Sequence, residues 1–323
     1  MLDTQDAVAH LSGARNLDQL YGVLADVGMG PGWNKPEPSL WPSPRKTLVP
    51  AHWSYRIGKA ALDAAAPLIG TDLAERRNLI LANPAPGNSY ATSRTLVAAY
   101  QMVKAGEVAR SHRHTPNALR LVVDTAPRAY TIVQGKKIPM RPGDVLLTPN
   151  WLWHGHDNES DAAAYWIDFL DAPLVQLLEP MFLEYFPGGI EKTGEIDESS
   201  PMIFPIKTTM ARLDAVTPAA DGSRAIELGS PALDTIALHV LRLDRQKPTT
   251  ALQTTASNIY AVIEGEGESD IDGETFAWER GDVLVAPAWR PHSHRASTTT
   301  AHLLRVTDEP ALKHLGWLRS RAA

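Results

Sequence analysis

Two His-x-His pairs stand out in this 323-residue chain: His112 with His114, and His154 with His156. On a β-strand, residues two apart point to the same face, so each pair presents two imidazoles side by side. Gly106 stands five residues before the first pair, and Gly143-Asp144, Pro149 and Trp151 lead into the second. A single His-x-His usually faces solvent. Two of them, joined through a Gly-Asp turn and a proline, fit strands that meet inside a barrel. Neutral imidazole ligates divalent transition metals, and three imidazoles on one face hold such an ion with positions left open. The reading therefore assigns His112, His114 and His154 as metal ligands. With no cysteine in the chain, disulfides, zinc–thiolate sites, iron–sulfur clusters and thiol nucleophiles are excluded.

Charged and polar residues embedded in apolar runs are the next candidates. Arg120 lies within Ala118-Leu119-Arg120-Leu121-Val122-Val123. Burying a guanidinium there has a desolvation cost unless an anion accompanies it. Arginine suits a planar carboxylate, because its fork of donors matches both oxygens. Asp168 sits in Tyr165-Trp166-Ile167-Asp168-Phe169 and needs a partner, and Gln101 is embedded in Ala98-Ala99-Tyr100-Gln101-Met102-Val103.

The elements that must position these residues change character along the chain. Leu17, Leu20, Tyr21 and Leu24 recur at helical spacing, and Gly28 and Gly30 would stop that helix. A Pro-rich stretch follows, then a second helix over 55–68, and Thr71-Asp72 could cap a short third one. From about residue 78 the period becomes two, with short strands at 79–81, 95–104, 119–123, 130–133 and 145–148. An apolar run around 174–186 reads as a helix, and strands resume from Ile236 to Val306.

An internal repeat organises the β region. Gly135, Gly143, Asp144, Val145, Leu146, Pro149, Trp151, His154 and His156 recur 138 residues later as Gly273, Gly281, Asp282, Val283, Leu284, Pro287, Trp289, His292 and His294. Two such units predict a mainly β fold of two small antiparallel barrels behind an N-terminal helical arm. The division read from the sequence is an arm at 1–85, a metal-binding barrel at 86–175, a linker with a helix at 176–230, a second barrel at 231–310 and a tail at 311–323. No His lies between His239 and His292, and the counterparts of His112 and His114 fall at about Leu252 and Thr254. The second barrel is therefore expected to hold no metal.

Gly-x5-His-x-His, Gly-x5-Pro and His-x3-Asn (His154 to Asn158) resemble the two cupin motifs, which makes the expected fold a bicupin, a pair of double-stranded β-helix barrels. The usual first motif carries a Glu shortly after its second His. Ala118 and Leu119 stand at those positions, so the ligand set has three His and no carboxylate. The stretches 107–115, 148–156 and 166–173, with Glu75-Arg76-Arg77, resemble the gentisate 1,2-dioxygenase family, which includes salicylate and 1-hydroxy-2-naphthoate dioxygenases. The resemblance implies Fe(II), dioxygen and an aromatic-acid substrate, and an extradiol-type ring-cleaving activity. It places Arg120, Arg76 or Arg77, Gln101 and Asp168 at the substrate, with His156, facing it, and Arg120 as the catalytic groups. It also implies a homotetramer. Val97 departs from the family, which often has an aromatic residue there, and this leaves salicylates, substituted salicylates and amino-substituted benzoates open beside gentisate.

The chemistry agrees with that resemblance. Three neutral imidazoles leave the metal charge uncompensated, and an ortho-hydroxy or ortho-amino benzoate can neutralise and chelate it. Alternatives are a non-oxygenase three-His cupin (an isomerase or hydrolase) and a ligand-binding cupin without catalysis. Lys and Arg total 31 against 37 Asp and Glu, a net charge of −6, so no nucleic-acid partner is expected. No apolar run reaches membrane-spanning length, and the first residues lack the basic start and apolar stretch of a signal peptide, so the reading is cytoplasmic.

Overall fold

The computed structural model describes residues 3–70, 74–229, 232–245 and 247–322, so the helix start expected at Thr71-Asp72 lies outside the described residues. The chain forms two compact units, Met1–Arg45 and Lys46–Ala323. The first carries helices Thr4–Gly13 and Leu17–Asp26, whose first-turn amides are capped by the side chains of Asp3 and Asn16. Gly28, at φ +72°, follows the second helix in the left-handed conformation that ends many helices.

The second unit holds both barrels. In the first, a sheet ordered Ile203–Phe204, Val145–Thr148, Ala118–Asp124, Ala164–Leu170, Val97–Val103, Arg77–Ile80 faces one ordered Leu183–Tyr185, Val108–His114, His154–Asn158, Ala129–Val133, Lys136–Pro139. In the second, the order Ala51–Trp53, Val283–Ala286, Asn258–Glu264, Thr300–Thr307, Ala237–Asp244, Arg224–Leu228 faces Glu274–Trp278, Gly267–Ile271, His292–Ala296, Leu252–Thr254, Ser320–Ala322. All strand pairs are antiparallel.

Strand parity separates two cores. Leu119, Leu121 and Val123 join Leu238, Val240, Ile259 and Leu304 in a core shared by the two large sheets. Val122 and Trp166, on the opposite faces of their strands, pack inside the first barrel with Val133, Ile138 and Leu146. The strands of the large sheets are thus buried on both faces, which is why they read as almost unbroken apolar runs. Arg120, Gln101 and Asp168 share the inward parity, so a barrel interior receives the three polar groups.

The repeat extends beyond the matched motifs. Each repeat starts with a short strand and a helix, Ala51–Trp53 with Tyr55–Ala65 and Ile203–Phe204 with Ile206–Asp214. Each short strand adds to the other repeat's barrel: Ala51–Trp53 pairs with Val283–Ala286, and Ile203–Phe204 with Val145–Thr148. The Gly-Asp turns receive the helices. Asp282 accepts the amide of Tyr55 at 2.8 Å and Asp144 that of Ile206 at 2.7 Å. Gly281 and Gly143, both at φ +87°, lie so close to Tyr55 and Ile206 that a Cβ would stand 2.6 and 2.9 Å from those side chains.

The helix expected around 174–186 is shorter. It spans Ala172–Leu178, Glu179 turns left-handed at φ 72°, and Pro180 follows. The chain then runs as strand Leu183–Tyr185 along the first His-x-His strand, with Leu183 opposite His114 and Tyr185 opposite His112. Continuous apolar residues hid this break, because helix and strand share that composition over short runs. Helix Glu309–His314 and strand Ser320–Ala322 take the corresponding places on the second barrel, where Thr254 lies opposite Ser320.

Candidate metal centre

The histidines converge through a local irregularity. Ala109 lies opposite His156 and His112 opposite His154, so a bulge inserts one residue between them and sets His112 directly across from His154. The rings of His112 and His154 stand 4.4 Å apart, those of His114 and His154 4.8 Å, and those of His112 and His114 5.5 Å. One ring nitrogen from each lies within 4.8 Å of the others.

The chain also fixes which nitrogen is offered. Nδ1 of His114 lies 2.8 Å from the Pro116 carbonyl and Nδ1 of His154 2.9 Å from that of Leu152. A carbonyl only accepts, so Nδ1 carries the proton and the Nε2 lone pair is free. Nδ1 of His112 lies 3.4 Å from the Arg110 carbonyl and 3.2 Å from a Glu75 carboxylate oxygen. Burial, then the positive field of Arg76, holds His112 down at about 3, and burial, then the neighbouring His112 and His114, holds His154 well below its usual range. His114 is lowered chiefly by burial. Three neutral imidazoles with free, convergent lone pairs are the donor set a divalent transition metal requires.

Beside this cluster lies a buried polar network. Arg120, 1% exposed, donates to Thr131 at 3.0 Å and Thr148 at 3.3 Å, and its Nη1 is 2.8 Å from Nε2 of His156. A guanidinium only donates, so the facing nitrogen of His156 keeps its lone pair. Burial, then Arg120, keeps this imidazole neutral, and its ring stacks on Trp166 at 4.5 Å. The anion that accompanies Arg120 is Asp168, 3.4 Å from its Nε and also accepting from the Trp166 indole at 2.9 Å. Arg76 donates to Gln101 and has Nη2 3.9 Å from Asp168.

The structure thus gathers His112, His114, His154, His156, Arg120, Arg76, Gln101 and Asp168 in one region. It separates Arg77 from them. Arg77 is buried in a bidentate pair with Glu107, at 2.6 and 2.9 Å, and donates to the Ile69 carbonyl. Arg76, in the bend just before strand Arg77–Ile80, reaches Gln101 and Asp168, so of the two arginines only Arg76 turns to the site. Sequence reasoning missed Glu75 as a site residue. It was visible only as the first of three consecutive charges, with no pattern to mark its proximity to His112.

In the second barrel the same positions carry other chemistry. Leu252 stands opposite His292 as His112 does opposite His154. The Trp289 amide donates to the Thr254 carbonyl as that of Trp151 does to His114. Leu252 and Thr254 therefore replace the first His-x-His, as expected. His292 is bound by the Tyr260 hydroxyl at 2.8 Å and the Arg290 carbonyl at 2.9 Å, and His294 by Ser269 at 2.7 Å.

Two fused cupin barrels, one with a three-histidine centre beside the buried Arg120, define a metal-binding bicupin. A cupin domain model matches residues 99–170 and 249–307. The chain is 32% identical over 340 residues to a 5-aminosalicylate 1,2-dioxygenase from Comamonas, covering 95% of this chain and 90% of that protein. It is 31% identical over 334 residues to gentisate 1,2-dioxygenase 1 of Aquipseudomonas alcaligenes, covering 94% and 96%. Salicylate 1,2-dioxygenase from Pseudaminobacter salicylatoxidans superposes with a TM-score of 0.86 at 28% identity, over 95% of this chain and 97% of that one. The chain belongs to the gentisate and salicylate 1,2-dioxygenase family of bicupins and is an oxidoreductase of the dioxygenase class. Among the described residues no helix is long and apolar enough to cross a membrane.

Proposed function

We propose that the protein is an Fe(II) enzyme that opens the ring of an ortho-hydroxy or ortho-amino benzoate, such as gentisate, salicylate or a substituted analogue. Cleavage falls, in extradiol fashion, between the carboxyl-bearing carbon and its substituted neighbour, and both atoms of O2 enter the product. The observation that carries this reading is the charge pattern: three neutral imidazoles with no ligating carboxylate, next to the buried Arg120 and the half-buried Arg76. His112, His114 and His154 would hold the iron, which when bound supplies the one-electron chemistry that dioxygen needs to react with an aromatic ring. Arg76 and Arg120 balance Asp168 and Glu75 in pairs, so a bound divalent ion leaves an excess of two positive charges. A benzoate carrying an ionised ortho substituent matches that excess.

In this reading Arg76 and Arg120 orient the substrate carboxylate, with Gln101 and Asp168 holding the guanidinium groups in place. His156, neutral and hydrogen-bonded to Arg120, faces the substrate and holds or passes a proton at a ring substituent. Val97 and Ala99 have the same inward parity as Gln101 and are small, which leaves space for a substituted ring. The exposed run Leu177, Leu178, Phe182 and Leu183 offers apolar surface for assembly, and the resemblance makes that assembly a homotetramer. The lack of cysteine fits work in the cytoplasm.

The test is metal analysis followed by anaerobic loading with Fe(II) and oxygen uptake with a panel of benzoates. One iron per chain, and uptake confined to benzoates with an ortho hydroxyl or amino group, are expected. Equal uptake with benzoates lacking that group would overturn the reading.

A further inference from the structure

The ligand set lacks a carboxylate, yet one stands directly behind it. Glu75 Oε2 lies 3.2 Å from Nδ1 of His112 and 3.4 Å from Nη1 of Arg76. The other two ligands are tied to main-chain carbonyls at 2.8 and 2.9 Å, whereas the hydrogen bond of His112 Nδ1 to the Arg110 carbonyl is long, at 3.4 Å, and the carboxylate stands nearer. Among the described residues Glu75 Oε1 is buried without a hydrogen-bond partner. Among the described residues, His112 is the one of the three imidazoles with a carboxylate against its Nδ1.

We infer that Glu75 is a positioning residue for the metal: its carboxylate, in charge contact with Nδ1 of His112, reinforces the Nδ1–H tautomer that the Arg110 carbonyl accepts from, keeps Nε2 aimed inward, and strengthens that nitrogen as a donor. A carboxylate behind a metal-bound imidazole polarises the ring toward imidazolate, an effect a carbonyl produces more weakly. By sharing one oxygen between His112 and Arg76, Glu75 also joins the metal ligand to the arginine assigned to the substrate. This inference rests on the reading that the three histidines hold the metal.

Full-length apoprotein titrated with Co(II) against a competing chelator gives both affinity and the visible spectrum of the bound ion. Glu75→Ala is expected to weaken Co(II) by about 10–100-fold and to shift its absorption bands. Glu75→Gln keeps an acceptor without the charge, so it should give a smaller loss and a spectrum closer to the parent. Being nearly isosteric, it also serves if the alanine variant does not fold. Parent-like affinity and spectrum in both variants would overturn the inference. His154→Ala in the same titration tests the underlying reading separately: it should lose Co(II), and retention there would mean that the three histidines are not the site.

Discussion

Arg120 is the residue whose placement is hardest to explain without function. It is fully enclosed; burial, with the positive field of Arg76, lowers its affinity for its proton, and Asp168 works against both. An arginine that merely balanced one aspartate could be replaced, with that aspartate, by apolar residues at little cost. Here the guanidinium also reaches His156, Thr131 and Thr148, so its donors are spread over two sheets that meet at the histidine cluster. Arg120→Ala is expected to retain metal and to raise KM steeply, since losing a desolvated charged contact costs about 2–5 kcal/mol. Steady-state kinetics alongside metal content checks this; loss of iron with unchanged KM would assign Arg120 to structure. The sequence pointed to this residue because a charge within an apolar strand is conspicuous. It could not separate Arg76 from Arg77, because the choice depends on Glu107, thirty positions away, capturing one of them.

At the scale of elements, the strands and the Gly-Asp turns were legible because period two and turn glycines are local properties. The bulge at Arg110-Ser111 was not, although it sets His112 opposite His154. Nor was the exchange of short strands between barrels, since a three-residue strand has no pattern of its own and takes its partner from the tertiary fold. The second barrel is the internal control for the site. His292 is held between Tyr260 and Arg290, and two of the ligand positions there are Leu252 and Thr254. His292→Ala is expected to leave metal content and turnover near those of the parent. Its stability should fall by about 1–3 kcal/mol, because buried polar groups lose their partner. Iron loss from a folded His292→Ala protein would contradict the assignment of the metal to the first barrel.

For the molecule as a whole, two buried aspartates latch the barrels together. Asp171 of the first accepts from Thr235 of the second, and Asp308 of the second accepts from Thr95 of the first. Burial pushes Asp308 from 3.8 up to about 6, the hydroxyl and amide donors only partly opposing it. The folded state therefore holds this proton more tightly than the unfolded chain. The stabilisation is complete below the unfolded value and is lost as pH rises through about 6. Between about pH 5 and about pH 7.5 this amounts to about 1 kcal/mol. Asp308→Asn should remove that component, so its unfolding midpoint should drop less than the parent's over the same interval; an identical drop would show that Asp308 does not titrate there. The ring opening proposed above is a property of the whole, metal-loaded molecule. The most direct test is mass spectrometry of the product formed under ¹⁸O2 by the Fe(II)-loaded protein, without added NADH, from an ortho-hydroxybenzoate. A ring-opened product carrying two labelled oxygen atoms is expected. A hydroxylated product with its ring intact, or turnover in the absence of oxygen, would contradict it.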